Sequence, residues 1–378
     1  MIWIAWRMLI GNRGKYLGIV FGVTFATLLI GQQASIFCGL MSLTTSQIRD
    51  IQGASIWVMD ANVQFIDDVK PLSDTALYRV RGVEGVRWAV PLYKGISRAR
   101  LPDGNFQQTI LIGVDDASLV GAPREMIVGS LADLGQPESI IIDERGFNQL
   151  WPDEPLTLGK TFEMNDKRAV VVGVCKASRT FQTFPIVYTR YSRAIRYVPP
   201  QRQVLSFILA EPQPEADPRA VCVAIQQTTR LRALTRDEFY WQTIDYYLRK
   251  TGIPVNFGIT VALGFLVGAA ISGQTFYLFT IENLHQFGTL KALGASDGKI
   301  VKMILTQAAV IAAIGYSLGI GFAALFGFAV RDAERLAFFM PWQVPALTAV
   351  AVCLMVVLAS LLSIRRVLVL EPAVVFRG

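Results

Sequence analysis

Four long apolar runs stand out of an otherwise mixed pattern, at about 16–38, 254–281, 300–330 and 344–364. Each covers a hydrocarbon core of about 30 Å, which takes roughly 20 helical residues. Isolated spans must be helical, because hydrocarbon offers no partner to a backbone amide. Gln32 and Gln33 near the outer end of the first run are read as interfacial or facing another helix. Between the first and second runs the period shortens. Strand-like stretches occur at 54–60 and 139–144, and hairpins at 95–115, turning at 102–105, and at 160–177, turning at Asn165-Asp166. Helical periods occur near 72–82, 145–151, 218–229 and 236–249, with Pro218 suited to a first turn. The predicted fold is a membrane protein with four transmembrane α-helices. An α+β extracytoplasmic domain of about 200 residues, large enough for its own core, is inserted between helices 1 and 2.

Composition supports this. The 378 residues are 52% hydrophobic with a mean hydropathy of +0.41, too apolar for an ordinary soluble domain. Net charge is +7, and its placement says more than its sum. Arg7, Arg13 and Lys15, then Lys291, Lys299 and Lys302, then Arg365, Arg366 and Arg377 flank the runs, against Glu282, Asp297 and Glu371. In 331–343, Arg331 and Arg335 are balanced by Asp332 and Glu334. Basic flanks stay in the cytoplasm. The expected order is a cytoplasmic amphipathic helix at 1–15, spans at 16–43, 251–281, 301–330 and 344–364, and an extracytoplasmic domain at 44–250. A cytoplasmic helix and loop at 282–300, a short outer loop at 331–343 and a cytoplasmic tail at 365–378 complete it. The start, with arginines scattered through it, is not read as a secretory signal peptide.

Candidate chemistry is sparse. Gly159-Lys160-Thr161 ends like a phosphate-binding loop, but the required earlier glycine is Glu154 and a strand follows. His285 is the single histidine, which argues against His-based triads and multi-His zinc sites. The cysteines show no metal spacing; Cys38 and Cys353 read as packing residues, and a Cys175–Cys222 bridge is chemically allowed. Acid pairs such as Asp67-Asp68 and Asp143-Glu144 sit at turns and strand ends, and basic residues interleave with acids without a nucleic-acid stripe. No catalytic residue, metal, cofactor or nucleic-acid partner is expected of this chain.

The stretch "ENLHQFGTLKALGASDGKIVK" (282–302) breaks the apolar pattern between the second and third spans. At about 100° per residue, Glu282, His285, Gln286 and Thr289 fall on one side, and Ile281, Leu284, Phe287, Gly288 and Leu290 on the other. This predicts a short amphipathic helix under the membrane, ended by Gly294 as a C-cap, with its apolar face on lipid or span ends. Asp at 287 is expected to spare insertion and to uncouple a cytoplasmic partner. Within the spans, Gly264-x-x-x-Gly268 and Gly315-x-x-x-Gly319 allow close helix contact, within one subunit or across a dimer.

"FGTLKALGAS" (287–296) resembles the segment between the second and third spans of the FtsX-like permeases of MacB-type (type VII) ABC transporters. "IAWRMLIGNRGKYLGIVFGV" (4–23) is similar to that family's cytoplasmic helix and first span, and "RRVLVLEPAVVFRG" (365–378) to its tail, with Pro372 and a terminal arginine. "ESIIIDERGF" and "LGKTFEMNDKRAVVVGV" are similar to its periplasmic core domain. The build is similar to DevC-type permeases, which have no fused ATPase domain. The resemblance implies a non-catalytic permease of the bacterial inner membrane, both termini cytoplasmic, working as a homodimer in contact with membrane lipid. A separate cytoplasmic ATPase would carry ATP and Mg²⁺, and a periplasmic adaptor and outer-membrane channel are further implied partners. It also implies that Glu282, Phe287, Gly288, Leu290, Lys291, Leu293, Gly294, Ala295 and Ser296 couple to the ATPase. His285-Gln286 departs from the basic-acidic pair common there. Two function classes remain: efflux by mechanotransmission, and FtsX-like signalling that activates an extracytoplasmic cell-wall hydrolase.

Overall fold

The computed structural model describes residues 3, 7, 8, 13–330 and 336–369. The rest of the expected helix at 1–15, the outer-loop residues 331–335 and the tail residues 370–378, with Pro372 and Arg377, lie outside the described residues. The chain divides into two compact units, 41–251 and the combination of 1–40 with 252–378.

The 41–251 unit is built on ten strands: β1 (Ile56–Met59), β2 (Val86–Arg100), β3 (Phe106–Val114), β4 (Glu125–Gly129), β5 (Ser139–Asp143), β6 (Thr161–Met164), β7 (Lys167–Lys176), β8 (Ile186–Arg190), β9 (Phe207–Pro212) and β10 (Arg232–Thr235). The path runs β10-β1-β9-β2-β3-β8-β5-β7-β4, with β6 against β2 and β7. The two predicted hairpins are present. Gly104 takes φ +86 in the β2–β3 turn, and Asn165 and Asp166 take φ 51 and 57 between β6 and β7, the paired left-handed backbone of a tight hairpin. The 15-residue β2 pairs with β9 through its first half and with β3 through its second, so one strand ties two sheet regions together. β3 and β8 are parallel, as are β5 and β7, and no local turn signal announces either pairing.

After α1 (Arg13–Thr44), most of which belongs to the other unit, six α-helices lie here: α2 (Ser46–Asp50), α3 (Asp74–Arg81), α4 (Glu144–Leu150), α5 (Tyr191–Ala194), α6 (Pro218–Thr229) and α7 (Arg236–Lys250). α6 starts with Asp217 accepting the Ala220 N–H and Pro218 in its first turn, where a missing N–H costs nothing. α7 starts with a reciprocal box between Thr235 and Glu238. The core holds an aromatic group of Trp57, Phe207 and Phe239, with ring centroids 5.5–6.0 Å apart. A second cluster gathers Phe147, Trp151 and Phe162. Cys175 and Cys222 are buried free thiols, so the allowed bridge is not formed; burial pushes the Cys222 thiol up to about 12.

The other unit contains α1 (Arg13–Thr44, of which the last four residues fall in the 41–251 unit), α8 (Ile253–Glu282), α9 (Leu284–Ala292), α10 (Asp297–Ala329) and α11 (Gln343–Leu368). α1, α8, α10 and α11 are each long and apolar enough to cross a membrane. Their outward faces are apolar: Phe21, Ile259, Leu266, Phe322, Leu354 and Leu361 are all exposed, as a lipid-covered surface requires. Inside, α1 is the common neighbour. Gly22 faces Ile271, Gly268 faces Ala26 and Gly264 faces Leu29, so residue numbers fall on α8 as they rise on α1 and the two helices are antiparallel. Gly315 faces Val23, Gly319 faces Thr27 and Gly31 faces Ala323, so α10 runs parallel to α1. Both glycine pairs therefore pack against the first span of their own chain. A Cβ at 315 would stand 2.6 Å from Val23 Cγ1, at 319 it would stand 2.7 Å from the Thr24 oxygen, and at 268 it would stand 2.7 Å from Met355 Sδ. Thr27 and Ser35 satisfy their hydroxyls on α1's own carbonyls of Val23 and Gly31, each at 2.7 Å.

Valine at 319 should force α1 and α10 apart, at a cost of about 1–3 kcal/mol of overpacking. Valine at Gly321, where a Cβ meets nothing within 4 Å, is the control. Melting of the purified chain in detergent should fall for Gly319→Val and stay at the parental value for Gly321→Val; equal melting of the two variants contradicts this packing.

A candidate coupling helix at the end of the bundle

α8 ends because Asn283 leaves helical geometry, at φ −90 and ψ 8. Its buried side chain then donates from Nδ2 to the Phe279 carbonyl at 2.7 Å, which also accepts the Asn283 backbone N–H at 3.2 Å, so both donors of one residue close the helix end on one carbonyl. α9 restarts at once, with the Phe287 N–H donating to the Asn283 carbonyl at 3.1 Å. At its other end the Ala295 N–H donates to Leu290 O at 3.0 Å and the Gly294 N–H to Lys291 O at 2.9 Å. With Gly294 at φ +88, this is the paired Schellman closure, and a left-handed residue is what it requires. Ser296, extended at φ −67 and ψ 151, turns the chain into α10, whose first turn carries Asp297, favourable at the positive end of the helix dipole.

The antiparallel register of α1 and α8 brings α9 to the end of the bundle where α1 begins. Phe287 has no exposed surface and is buried in one cluster with Ile300, Met303 and Val367. Gly288 is buried, and Leu284, Leu290 and Ala295 are half-buried against the same cluster. The polar side is pinned as well. Lys15 at the start of α1 pairs with Glu282. Lys291, with 10% of its side chain exposed, donates to the Leu368 carbonyl of α11 at 3.0 Å and meets Asp297 of α10 at 3.0 Å. α9 is thereby fastened to the start of α10 and the end of α11, while Lys15–Glu282 ties the start of α1 to the end of α8 just before it.

Of the residues expected to couple, Phe287 and Gly288 are therefore inside the bundle and offer a partner no surface. Of the two surfaces expected for the apolar face, lipid or span ends, the structure places it on span ends. Glu282 and Lys291 engage other parts of the same chain, and Leu290 and Ala295 are partly covered. Leu293, 79% exposed beside Gly294, and Ser296 remain on the surface with His285, Gln286 and Ala292. Leu293 is thus the large apolar side chain that α9 and its cap leave on the surface. Sequence reasoning missed Asn283, Lys15 and Leu368 as members of this assembly. The first two carried a signal: a lone amide ending an apolar run, and a basic residue one helix start away, read only as a topology marker.

The family model for the FtsX-like permease C-terminal matches residues 258–372, and that for the MacB-like periplasmic core domain matches 16–228. The chain belongs to the FtsX-like permeases of ABC transporters that carry a MacB-like periplasmic core domain between the first and second membrane helices. It is 23% identical over 351 residues to the macrolide export ATP-binding/permease protein MacB of Agrobacterium fabrum, covering 87% of this chain and 52% of that protein. The chain thus spans about half the length of that relative. It is 23% identical over 371 residues to an uncharacterized ABC transporter permease of Mycobacterium tuberculosis, covering 96% of this chain and 93% of that one. Among solved structures, the periplasmic region of MacB from Actinobacillus actinomycetemcomitans aligns at 16% identity and a TM-score of 0.38, over 54% of this chain and 96% of that one.

Truncation separates the two sides of α9. Phe287→Ala should cost about 3–5 kcal/mol of bundle stability, as emptying a large buried site does. Leu293→Ala should change stability by no more than about 0.5 kcal/mol. Thermal melting in detergent reads both; a stable Phe287→Ala variant would remove α9 from the bundle core.

Proposed function

We propose that this chain is the permease subunit of an ABC exporter of the bacterial inner membrane, with both termini and 282–300 in the cytoplasm and 44–250 outside. A separate cytoplasmic ATPase binds ATP and Mg²⁺. Two copies of the chain serve its paired subunits, and an adaptor and an outer-membrane channel receive what leaves the exterior domains. The observation that carries the reading is the fastening of α9 to α10 and α11 through Phe287 and Lys291, beside the Lys15–Glu282 pair that ties the start of α1 to the end of α8. A helix held this way cannot be displaced alone. Force on its exposed side, at Leu293 and its neighbours, moves the starts of α1 and α10 and the end of α11 together. Work is done on the exterior domains through α1 and α8, while ATP is consumed at the other face of the membrane. The permease needs no catalytic group for this and acts by transmitting motion.

Leu293→Asp places a charge on the docking side without touching the bundle core. Reconstituted with its ATPase, this variant should lose the permease-stimulated part of ATP turnover at least about fivefold, a coupling loss near 1 kcal/mol. Membrane abundance and the two-copy native mass should be unchanged. Full stimulation by Leu293→Asp contradicts the docking role, and a native complex with one copy of this chain contradicts the paired arrangement.

A further inference from the structure

The 41–251 unit holds a cleft of about 1070 Å³ whose floor is one face of the β2–β3 hairpin. Strand alternation sets Lys94, Ile96, Arg98 and Arg100 on that face of β2. Register places Arg100 opposite Phe106, Arg98 opposite Gln108 and Ile96 opposite Ile110. Cations at alternate positions of one strand stand only about 7 Å apart and repel each other, so the arrangement needs anions.

The protein supplies some of them. Arg100 lies 3.6 Å from Glu163 at the exposed rim. Lys94, only 5% exposed, bonds to Asp67. A lysine ammonium has three donors, and Asp67 takes one of them. Burying such a charge with a single partner is costly, and it is not how a plain structural surface is built. Two further cations flank Ile96. The Arg202 guanidinium donates to the Ile96 carbonyl at 3.2 Å from the opposite wall, and Arg98 rests over the Phe106 ring with 5.4 Å to its centroid. Neither pairs with a carboxylate among the described residues. The lining also includes Asp166 and the amides of Gln108, Asn165 and Gln182, and an apolar stretch made by Val69, Ile96, Ile110 and Val204.

We propose that this cleft is a binding site for a small amphipathic molecule bearing an oxyanion group. The oxyanion is held among Lys94, Arg98 and Arg202, and the apolar body lies along Ile96, Ile110 and Val204. Guanidinium forks suit carboxylate, phosphate and sulfonate oxygens alike, so the head group is defined as an oxyanion rather than as one acid. The polar and apolar halves lie side by side in one cleft, which selects against both a bare anion and an uncharged hydrocarbon. As the class of molecule exported, this rests on the export reading above; as a binding site, it stands on the cleft alone.

The full chain in phosphatidylcholine nanodiscs is titrated with 11-(dansylamino)undecanoate and with its uncharged primary amide, empty nanodiscs giving the partition background. The carboxylate should bind at least about tenfold tighter than the amide. That preference should vanish in the Arg98→Gln, Arg202→Gln double variant, both of whose altered side chains are exposed. The Arg98→Lys, Arg202→Lys variant, which keeps charge and loses the forks, should fall between. Equal binding of carboxylate and amide by the parent chain overturns the site, and so does a Gln variant that melts normally and keeps the preference. No ATP or ATPase is present, so the export reading can fail without altering this result.

Discussion

Close contact of α1 with α8 and α10 is the constraint on which the membrane unit depends. Inside a bilayer, apolar surface is already in an apolar medium, so helices are not driven together by escape from water. What remains is van der Waals contact, and it requires backbones that approach closely. Gly22 and Gly268 provide this on one side of α1, and Gly315 and Gly319 on the other. Because a Cβ at these positions meets Ile271, Ala26, Val23 or Thr24, the approach and the absence of side chains are one fact. Both glycine pairs are thus engaged within the chain itself.

The position of α9 follows from that packing. Antiparallel α8 returns the chain to the end where α1 begins, and Asn283 stops it there. α9 then has three helix ends within reach, and its apolar side fills the space among them with Phe287. The cap at Gly294 fixes how the chain turns into α10. α1 itself continues unbroken to Thr44, so the chain enters the exterior unit inside a helix rather than through a loop.

Much of this was legible in the sequence, for reasons that differ by element. The spans are readable because lipid leaves no alternative to a long apolar helix. The hairpins are readable because Asn165-Asp166 and Gly104 are residues that accept a left-handed backbone, and α6 and α7 because Asp217-Pro218 and Thr235…Glu238 are capping signals. β4, β8, β9 and β10 were not anticipated. β9 and β10 pair with β1 across more than a hundred residues, so their evidence is tertiary rather than local. The same limit applies to the coupling helix. Its amphipathic period was visible, but Phe287 looks the same whether it faces lipid, a partner or its own bundle. Only the fold decides that it faces Ile300 and Met303. In the 41–251 unit, nothing in the sequence sets Lys94 apart from other basic residues; its burial beside Asp67 appears only when β2 is placed.

The central claim is that α9 and the spans it touches move as one body. Spin labels at His285 on α9 and at Leu305 on α10, both exposed, report the distance between the lever and a span in the assembled transporter. Pulsed dipolar distance measurement without nucleotide and in an ATP-trapped state should give the same narrow distribution in both, while a pair of His285 labels on the two copies shifts between the states. A His285–Leu305 distance that changes or broadens on ATP binding, with the inter-copy distance fixed, would show that α9 moves on its own and contradict the account.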